Sequence, residues 1–385
     1  MKVLYDYRIF DSQQYGGASR YFTELIRSFR ASGEVEAILS IGNSENEYIG
    51  LGAPDSAEDG PTTAGPYLAS NLNWGFVRKL RPYVPRPFNT NPNLQTSISD
   101  LKGQSFDLFH PTYYDSYFLK YLGRKPFVFT IYDMAHEIYP EMFSMFSPIS
   151  RAKKVLAEKA TRIIAISKTT KNDITRILKV PSEKIDVVYP GSVGDMRTPN
   201  GGARDFGFGD YIIYVGSRDG YKNFERFVIA VSRLLKKYGV RCLCCGGGKF
   251  TRREVGLFQR LGILSQLVQY SAKERDLPQL YQNALCFVCP SLNEGFGLPV
   301  VEAFSYGCPV ALANTSALPE VAGDGAVYFD PKDEEDISAV VETLISSDHL
   351  RDEMIGRGRI QCEKYSWAKC AKETLGVYRA ALREQ

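Results

Sequence analysis

The chain is poor in several features, and each shortage excludes something. No apolar run in its 385 residues approaches the roughly 18 needed to cross a bilayer, which argues against a helical membrane span. The opening residues, Met1-Lys2-Val3-Leu4-Tyr5-Asp6, lack the apolar core of a signal peptide, so a cytosolic protein is expected. Net charge is only +3, so no field of one sign demands nucleic acid as a partner. No Gly-x-Gly-x-x-Gly turn follows the first apolar run, which argues against an NAD oxidoreductase. No cysteine precedes residue 240. Of the eight beyond it, Cys242, Cys244, Cys245, Cys286 and Cys289 fall in apolar runs that read as buried strands. Cys286-x-x-Cys289 is a lone pair with no second pair or histidine at zinc-ligand spacing, so core packing is expected rather than a metal or redox site.

The composition that remains is globular: 44% hydrophobic, 24% charged, and long enough for two domains. Short β-rich runs alternate with helical patterns, as in parallel sheets with crossover helices. In the first half the pattern predicts strands over 2–9, 37–41, 107–110, 127–131 and 162–166. It predicts helices there over 18–31, 148–160 and 169–178. Phe22, Leu25, Ile26 and Phe29 give the first helix an apolar face at i, i+3, i+4 and i+7. Residues 43–66, rich in Gly, Pro, Asp, Ser and Thr, read as a long loop. The second half repeats the grammar, with strands over 211–215, 240–245, 267–270, 285–289, 309–313 and 326–329. Its helices are expected over 223–237, 276–283, 299–306, 333–346, 350–363 and 366–382. A Gly- and Pro-containing linker, 190–202, separates the halves. The expectation is an α/β protein of two doubly wound, Rossmann-like domains facing a cleft, with ligands outside the carboxyl ends of the strands.

The most informative string is Pro290-Ser-Leu-Asn-Glu294-Gly295-Phe296-Gly297-Leu298-Pro-Val-Val-Glu302. A strand ends, a glycine loop follows, and a helix opens with proline in its first turn. Backbone N–H groups of such a loop and helix start form an anion site. Two carboxylates beside an anion site fit a ligand that offers hydroxyls around its phosphates, as a nucleotide sugar does. The plainer alternative is a tight strand–helix turn with a surface Glu294 and a helix Glu302. Arg218 and Lys222 follow another strand end, four residues apart, and both could reach one diphosphate. Ordinary solvated loop charge is the alternative for them.

Glu294 and Glu302 stand in an E-x7-E pattern. Four further strings occur in order: Tyr15-Gly16-Gly17-Ala-Ser-Arg20, Tyr214-Val-Gly216-Ser-Arg218-Asp-Gly-Tyr-Lys222-Asn223, Ala317-Leu-Pro319-Glu320-Val321 and Tyr365-Ser-Trp367. Together they resemble the retaining glycosyltransferases of the GT-B fold, family GT4, over nearly the whole chain. Within that family the chain looks most like bacterial mannosyltransferases of O-antigen and related surface polysaccharides. The resemblance implies an acceptor domain over 1–190, a donor domain over 203–365, and a final helix, 366–385, crossing back to the first. It implies that Glu294 contacts the transferred sugar and Glu302 the ribose, with Gly295, Phe296, Gly297 and Leu298 completing the donor site. Arg218 and Lys222 would hold the diphosphate, and Gly16 and Gly17 would let the first loop approach it, a plain turn being the alternative.

The family commonly has His-Asp after the strand that here ends in Thr130-Ile-Tyr132-Asp133. Tyr132 replaces that histidine, whose family role is to contact the transferred sugar; either His136, four residues later, serves instead or the sugar differs at that position. Asp133 is the candidate for orienting the acceptor hydroxyl, with a helix or turn cap as the alternative. His110 ends another strand and either lines the acceptor side or makes a structural hydrogen bond. The resemblance also implies retention of configuration by front-face attack, a nucleotide-sugar co-substrate (GDP-mannose foremost, a UDP-sugar or deoxy-sugar nucleotide otherwise) and no other cofactor. No metal is expected, since no Asp-x-Asp motif ends a strand. The alternatives within the fold are an epimerase, a phosphorylase with a pyridoxal-binding lysine, or a silent nucleotide-sugar sensor. The acceptor implied is a glycan, lipid-linked. Residues 74–88, with Arg78, Lys79, Arg81 and Arg86 among aromatics and no acid, suit the anionic inner face of a plasma membrane, or form an ordinary basic loop.

Overall fold

The computed structural model describes residues 1–50, 91–192 and 206–384. The basic segment 74–88, most of the 190–202 linker and residues 51–66 of the expected loop lie outside the described residues. The first elements are β1 (Lys2–Tyr5), α1 (Arg8–Ser12), α2 (Gly17–Ser32), β2 (Glu36–Leu39), α3 (Glu47–Gly50) and α4 (Pro92–Gly103). There follow β3 (Leu108–His110), β4 (Val128–Ile131), α5 (Ala135–Ile138), α6 (Ile149–Lys159), β5 (Arg162–Ala165), α7 (Lys168–Leu178) and β6 (Ile185–Val187). Next come β7 (Tyr211–Val215), α8 (Phe224–Tyr238), β8 (Arg241–Cys245), α9 (Arg252–Leu261), β9 (Leu267–Tyr270) and α10 (Leu277–Gln282). Then β10 (Cys286–Cys289), α11 (Leu298–Ser305), β11 (Val310–Ala313), α12 (Leu318–Ala322) and β12 (Val327–Phe329) lead to α13 (Glu334–Ser346), α14 (Asp348–Cys362) and α15 (Trp367–Arg383). No helix among the described residues is long and apolar enough to cross a membrane.

Packing divides the chain into two compact units. The first is Met1–Thr130, Phe146–Arg162 and Leu375–Gln385; the second is Ile131–Met145 and Ile163–Thr374. By this division residues 163–190 go with the second unit and residues 375–385 with the first.

In the first unit β1 is flanked by β2 and β3, all parallel. The expected strand over 2–9 stops at Tyr5 because Asp6 is drawn inward. Its carboxylate accepts from the Thr112 backbone N–H at 2.9 Å and the Thr112 hydroxyl at 2.6 Å, and the chain turns there into α1. Burial pushes the Asp6 carboxyl above its ordinary value. On α2, Phe22, Leu25, Ile26 and Phe29 are buried, as their spacing predicts. The end of α15 brings Tyr378 into this core, where its hydroxyl lies 2.9 Å from the Tyr5 hydroxyl and 2.6 Å from His110 Nδ1. His110 Nε2 meets the Thr130 hydroxyl at 2.8 Å. His110 is fully buried with both ring nitrogens engaged, and burial pulls its pKa down to about 3. It is therefore a neutral core residue that makes structural hydrogen bonds, the second of the two roles its sequence position offered.

The second unit holds a six-stranded parallel sheet in the order β12-β11-β10-β7-β8-β9. The chain runs outward from β7 to β8 and β9, returns to β10 on the other side of β7, then continues to β11 and β12. The loops after β7 and β10 therefore diverge, and the sheet has its topological switch point between them. Amphipathic α8 buries Phe224, Phe227, Val228, Val231 and Leu235 in this unit's core. Cys242, Cys244, Cys245, Cys286 and Cys289 are buried in the strands. Burial pushes the Cys286 and Cys289 thiols up to about 12, so they stay protonated. The parallel pair β5–β6 with α7 also belongs to this unit.

Candidate functional site

The switch point places the loop after β7, residues 216–223, beside the loop after β10, residues 290–297. They are laced together by the backbone: the Leu292 N–H donates to the Tyr221 carbonyl at 2.7 Å. The Asn223 side-chain amide donates to the Pro290 and Pro331 carbonyls at 3.1 and 2.7 Å. Across this junction Lys222 Nζ meets Glu294 Oε1 at 2.5 Å, with side chains 20% and 16% exposed. Burial would lower the Lys222 pKa, but the Glu294 charge and hydrogen bond outweigh it and hold it above the ordinary lysine value. Lys222 is thus a permanent cation at the mouth of the switch point.

The loop that carries Glu294 is closely held. Its N–H donates to Ser316 Oγ at 2.9 Å, and the Ala317 N–H donates to its carbonyl at 3.3 Å. A Cβ on Gly295 would sit 1.6 Å from the Tyr132 carbonyl oxygen and 3.3 Å from Asp133 Cβ, so only glycine admits the segment after β4. This close approach brings Tyr132 and Asp133 to the Glu294 loop. Asp133 Oδ1 accepts from the Ala135 N–H at 2.9 Å and so caps the turn into α5, the alternative role the sequence allowed. The His136 ring stacks on Phe143 with centroids 3.7 Å apart, and Phe143 in turn lies 5.6 Å from Tyr221 of the first loop. Phe296 is buried edge-on to Tyr365, with ring centroids 5.2 Å apart. Gly297, with φ of +96°, precedes Leu298 and Pro299 at the start of α11. Glu302, one turn on, is buried and accepts from the Tyr281 hydroxyl at 3.4 Å.

Arg218 departs from expectation. Its side chain is only 4% exposed, and its Nε donates to Glu254 at 2.6 Å. Its remaining nitrogens donate to the carbonyls of Gly246 at 2.7 Å, Gly248 at 3.0 Å and Lys249 at 3.0 Å. The guanidinium thus clamps the triglycine loop after β8, and in this arrangement it does not join Lys222 on one anion. A Cβ on Gly247 would come within 2.7 Å of it. Glu254 also accepts from the Thr251 N–H at 2.6 Å, completing a capping box at the start of α9. Burial opposes its ionisation, but the Arg218 and Thr251 hydrogen bonds hold its pKa below the ordinary value. The Thr251-x-x-Glu254 spacing carried that signal in the sequence; Ser316, at a non-glycine φ of +53°, carried none.

Gly16 and Gly17 belong to the first unit, at the start of α2. The nearest atoms to a Cβ on Gly16 would be those of the Gln13 side-chain amide, the closest at 2.5 Å. Among the described residues no group of three or more His, Cys, Asp or Glu side chains is arranged to hold a metal ion.

Two family models match successive parts of the chain: "Glycosyltransferase Family 4" over residues 15–192 and "Glycosyl transferases group 1" over residues 208–361. The chain belongs to glycosyltransferase family 4. A family relative, the O-antigen chain mannosyltransferase B of Escherichia coli, is 29% identical over 234 residues. That match covers 58% of this chain and 61% of the relative, less than two thirds of its length. The D-inositol 3-phosphate glycosyltransferase of Corynebacterium kroppenstedtii is 28% identical over 309 residues, 73% of this chain and 68% of that one. Among solved structures, Anabaena HepE in complex with UDP-glucose superposes with a TM-score of 0.71 at 16% identity, covering 99% of this chain and 100% of that one. At that identity the likeness speaks for the fold alone, which is GT-B.

Proposed function

We propose that this family 4 member is a retaining, metal-independent glycosyltransferase that moves mannose from GDP-mannose to a hydroxyl of a growing, lipid-linked glycan in surface-polysaccharide synthesis. The observation that carries the reading is the Lys222–Glu294 pair across the switch point of the six-stranded sheet. A cation and a carboxylate side by side match the two ends of the reacting bond: diphosphate on one side, sugar hydroxyls on the other. On donor binding a phosphate oxygen competes for the Lys222 ammonium, and Glu294 turns to accept hydrogen bonds from the sugar. Glu302, one turn into α11, takes the ribose hydroxyls, and the N–H groups of 295–298 supply further donors to the phosphates. The bond from the sugar C1 to the diphosphate oxygen breaks, and C1 bonds to the acceptor oxygen on the same face. The acceptor's proton passes to the departing phosphate oxygen. Charge building on that phosphate is met by Lys222, a fixed cation requiring no reorganisation.

The choice of mannose and of a surface glycan draws on the name of the Escherichia coli relative. The basic, aromatic composition of 74–88 supports peripheral work at the cytoplasmic face of the membrane. Residues 203–365 act as the donor domain, 1–190 receive the acceptor, and 366–385 return to the first. The test is a panel of GDP- and UDP-sugars with a lipid-linked mannose-terminated primer, with and without chelator. The expected product is an α-mannoside formed from GDP-mannose at a rate the chelator leaves unchanged. Transfer from a UDP-sugar alone overturns the donor assignment, and a β-linked product overturns retention.

A further inference from the structure

The Glu294 carboxylate is useful only if the peptide that carries it stays in place, and two segments hold that peptide. One is 316–317, through Ser316 Oγ and the Ala317 N–H. The other is α7: Thr170, 2% exposed, donates its hydroxyl to the Gly295 carbonyl at 3.3 Å. What seats α7 there is Glu320, on α12 only four residues beyond Ser316. Its carboxylate accepts from the Lys168 N–H at 2.7 Å, the Thr169 N–H at 2.9 Å and the Thr169 hydroxyl at 2.7 Å. The Tyr189 hydroxyl donates to it at 2.7 Å. Lys168 and Thr169 open α7, where backbone N–H groups have no partner within the helix and the dipole favours an anion. Ser167 caps the same end by accepting from the Thr170 N–H at 3.0 Å. Burial alone would raise the Glu320 pKa, but the converging donors bring it below the ordinary carboxylate value, so it is charged at neutral pH.

We propose that Glu320 is a positioning residue for Glu294: it clamps the start of α7 against the 316–320 segment, so that Thr170 holds the Gly295 carbonyl and the Glu294 peptide is fixed from two sides. The proposal rests on the reading of Glu294 as the sugar contact. It assigns Glu320 and Thr170 an effect on the chemical step without contact to the nucleotide. A displacement of the order of 1 Å at a reacting group is enough to cost on the order of a hundredfold in rate, so a loosened peptide registers in turnover.

The test uses the full chain with Thr170→Val, Thr170→Ser and Glu320→Gln. Turnover and KM are measured with GDP-mannose and primer, GDP affinity by calorimetry, and stability by thermal unfolding. Thr170→Val and Glu320→Gln are expected to lower kcat about tenfold with GDP affinity within about twofold of the parent, and Thr170→Ser to restore kcat. If Glu320→Gln does not fold, the Thr170 pair decides alone. Unchanged kcat in Thr170→Val, or an equal loss in Thr170→Ser, overturns the proposal. Absence of any glycoside product from the parent chain overturns the reading of Glu294, and the proposal falls with it; the parent assay separates the two failures.

Discussion

Arg218 and Lys222 stand four residues apart in one loop and do opposite things. Lys222 ends at the switch point, paired with Glu294 and partly open to solvent; in the proposed mechanism an incoming phosphate displaces that carboxylate. Arg218 ends inside the fold, with Glu254 on one nitrogen and the carbonyls of residues 246–249 on the others. Removing one partner of a buried pair strands the other charge, at a cost of about 3–5 kcal/mol. Arg218→Ala is therefore expected to destabilise the chain by about that amount in denaturant unfolding, whereas Lys222→Ala keeps near-parental stability and loses affinity for GDP in calorimetry. An Arg218→Ala variant of parental stability that binds GDP weakly would return Arg218 to the diphosphate. Spacing could not separate these roles, because the partner that withdraws Arg218 lies 36 residues away on another helix. The same holds for His110, whose fate is set by Tyr378, 268 residues on.

The glycine loop between β10 and α11 is the element on which the site depends, and its neighbours dictate its sequence. A methyl group at position 295 would overlap the Tyr132 carbonyl oxygen, a backbone atom that cannot swing aside. Gly295→Ala must push the loop or the segment after β4 out of place, and turnover is expected to fall at least about tenfold with a lowered unfolding temperature. For Gly16→Ala the nearest atoms are the far end of the flexible Gln13 side chain, which can move aside, so its unfolding temperature is expected to fall much less. Equal behaviour of the two variants would contradict this picture of the loop. Elements with strong periodicity were legible in the sequence: α2, α8 and the strands of the six-stranded sheet fall within a residue or two of expectation, since each buries one apolar face or run. Other elements were passed over. α4 buries few residues and carries a weak apolar stripe, while α9 carries both its Thr251–Glu254 capping box and an apolar face of Val255, Phe258 and Leu261, so its sequence did hold the signal. β1 read too long because Tyr7, Ile9 and Phe10 are as apolar as a strand, yet Asp6 turns the chain into α1. Tyr132 and Asp133 were found by family pattern, but their approach to Gly295 joins segments far apart in the chain and left no local trace.

Across the whole molecule, the two family profiles and the GT-B likeness account for most of the chain, and the topology of the second unit explains where its chemistry belongs. Strand order reverses between β7 and β10, and the charged pair of the site sits on the two loops that this reversal opens. The second unit draws residues 131–145 and 163–192 into the same body as the six-stranded sheet, so the Glu294 loop is held by residues far from it in the sequence, Tyr132 and Thr170 among them. Glu294 is where the fold, the proposed donor and the proposed chemistry meet. Glu294→Gln keeps the shape of the side chain and loses charge-assisted hydrogen bonds to sugar hydroxyls, each worth roughly 1.5–3 kcal/mol. The decisive measurement is turnover of this variant with GDP-mannose beside its calorimetric affinity for GDP. Turnover lowered at least about tenfold with GDP binding retained is the predicted result, and full turnover would contradict the account.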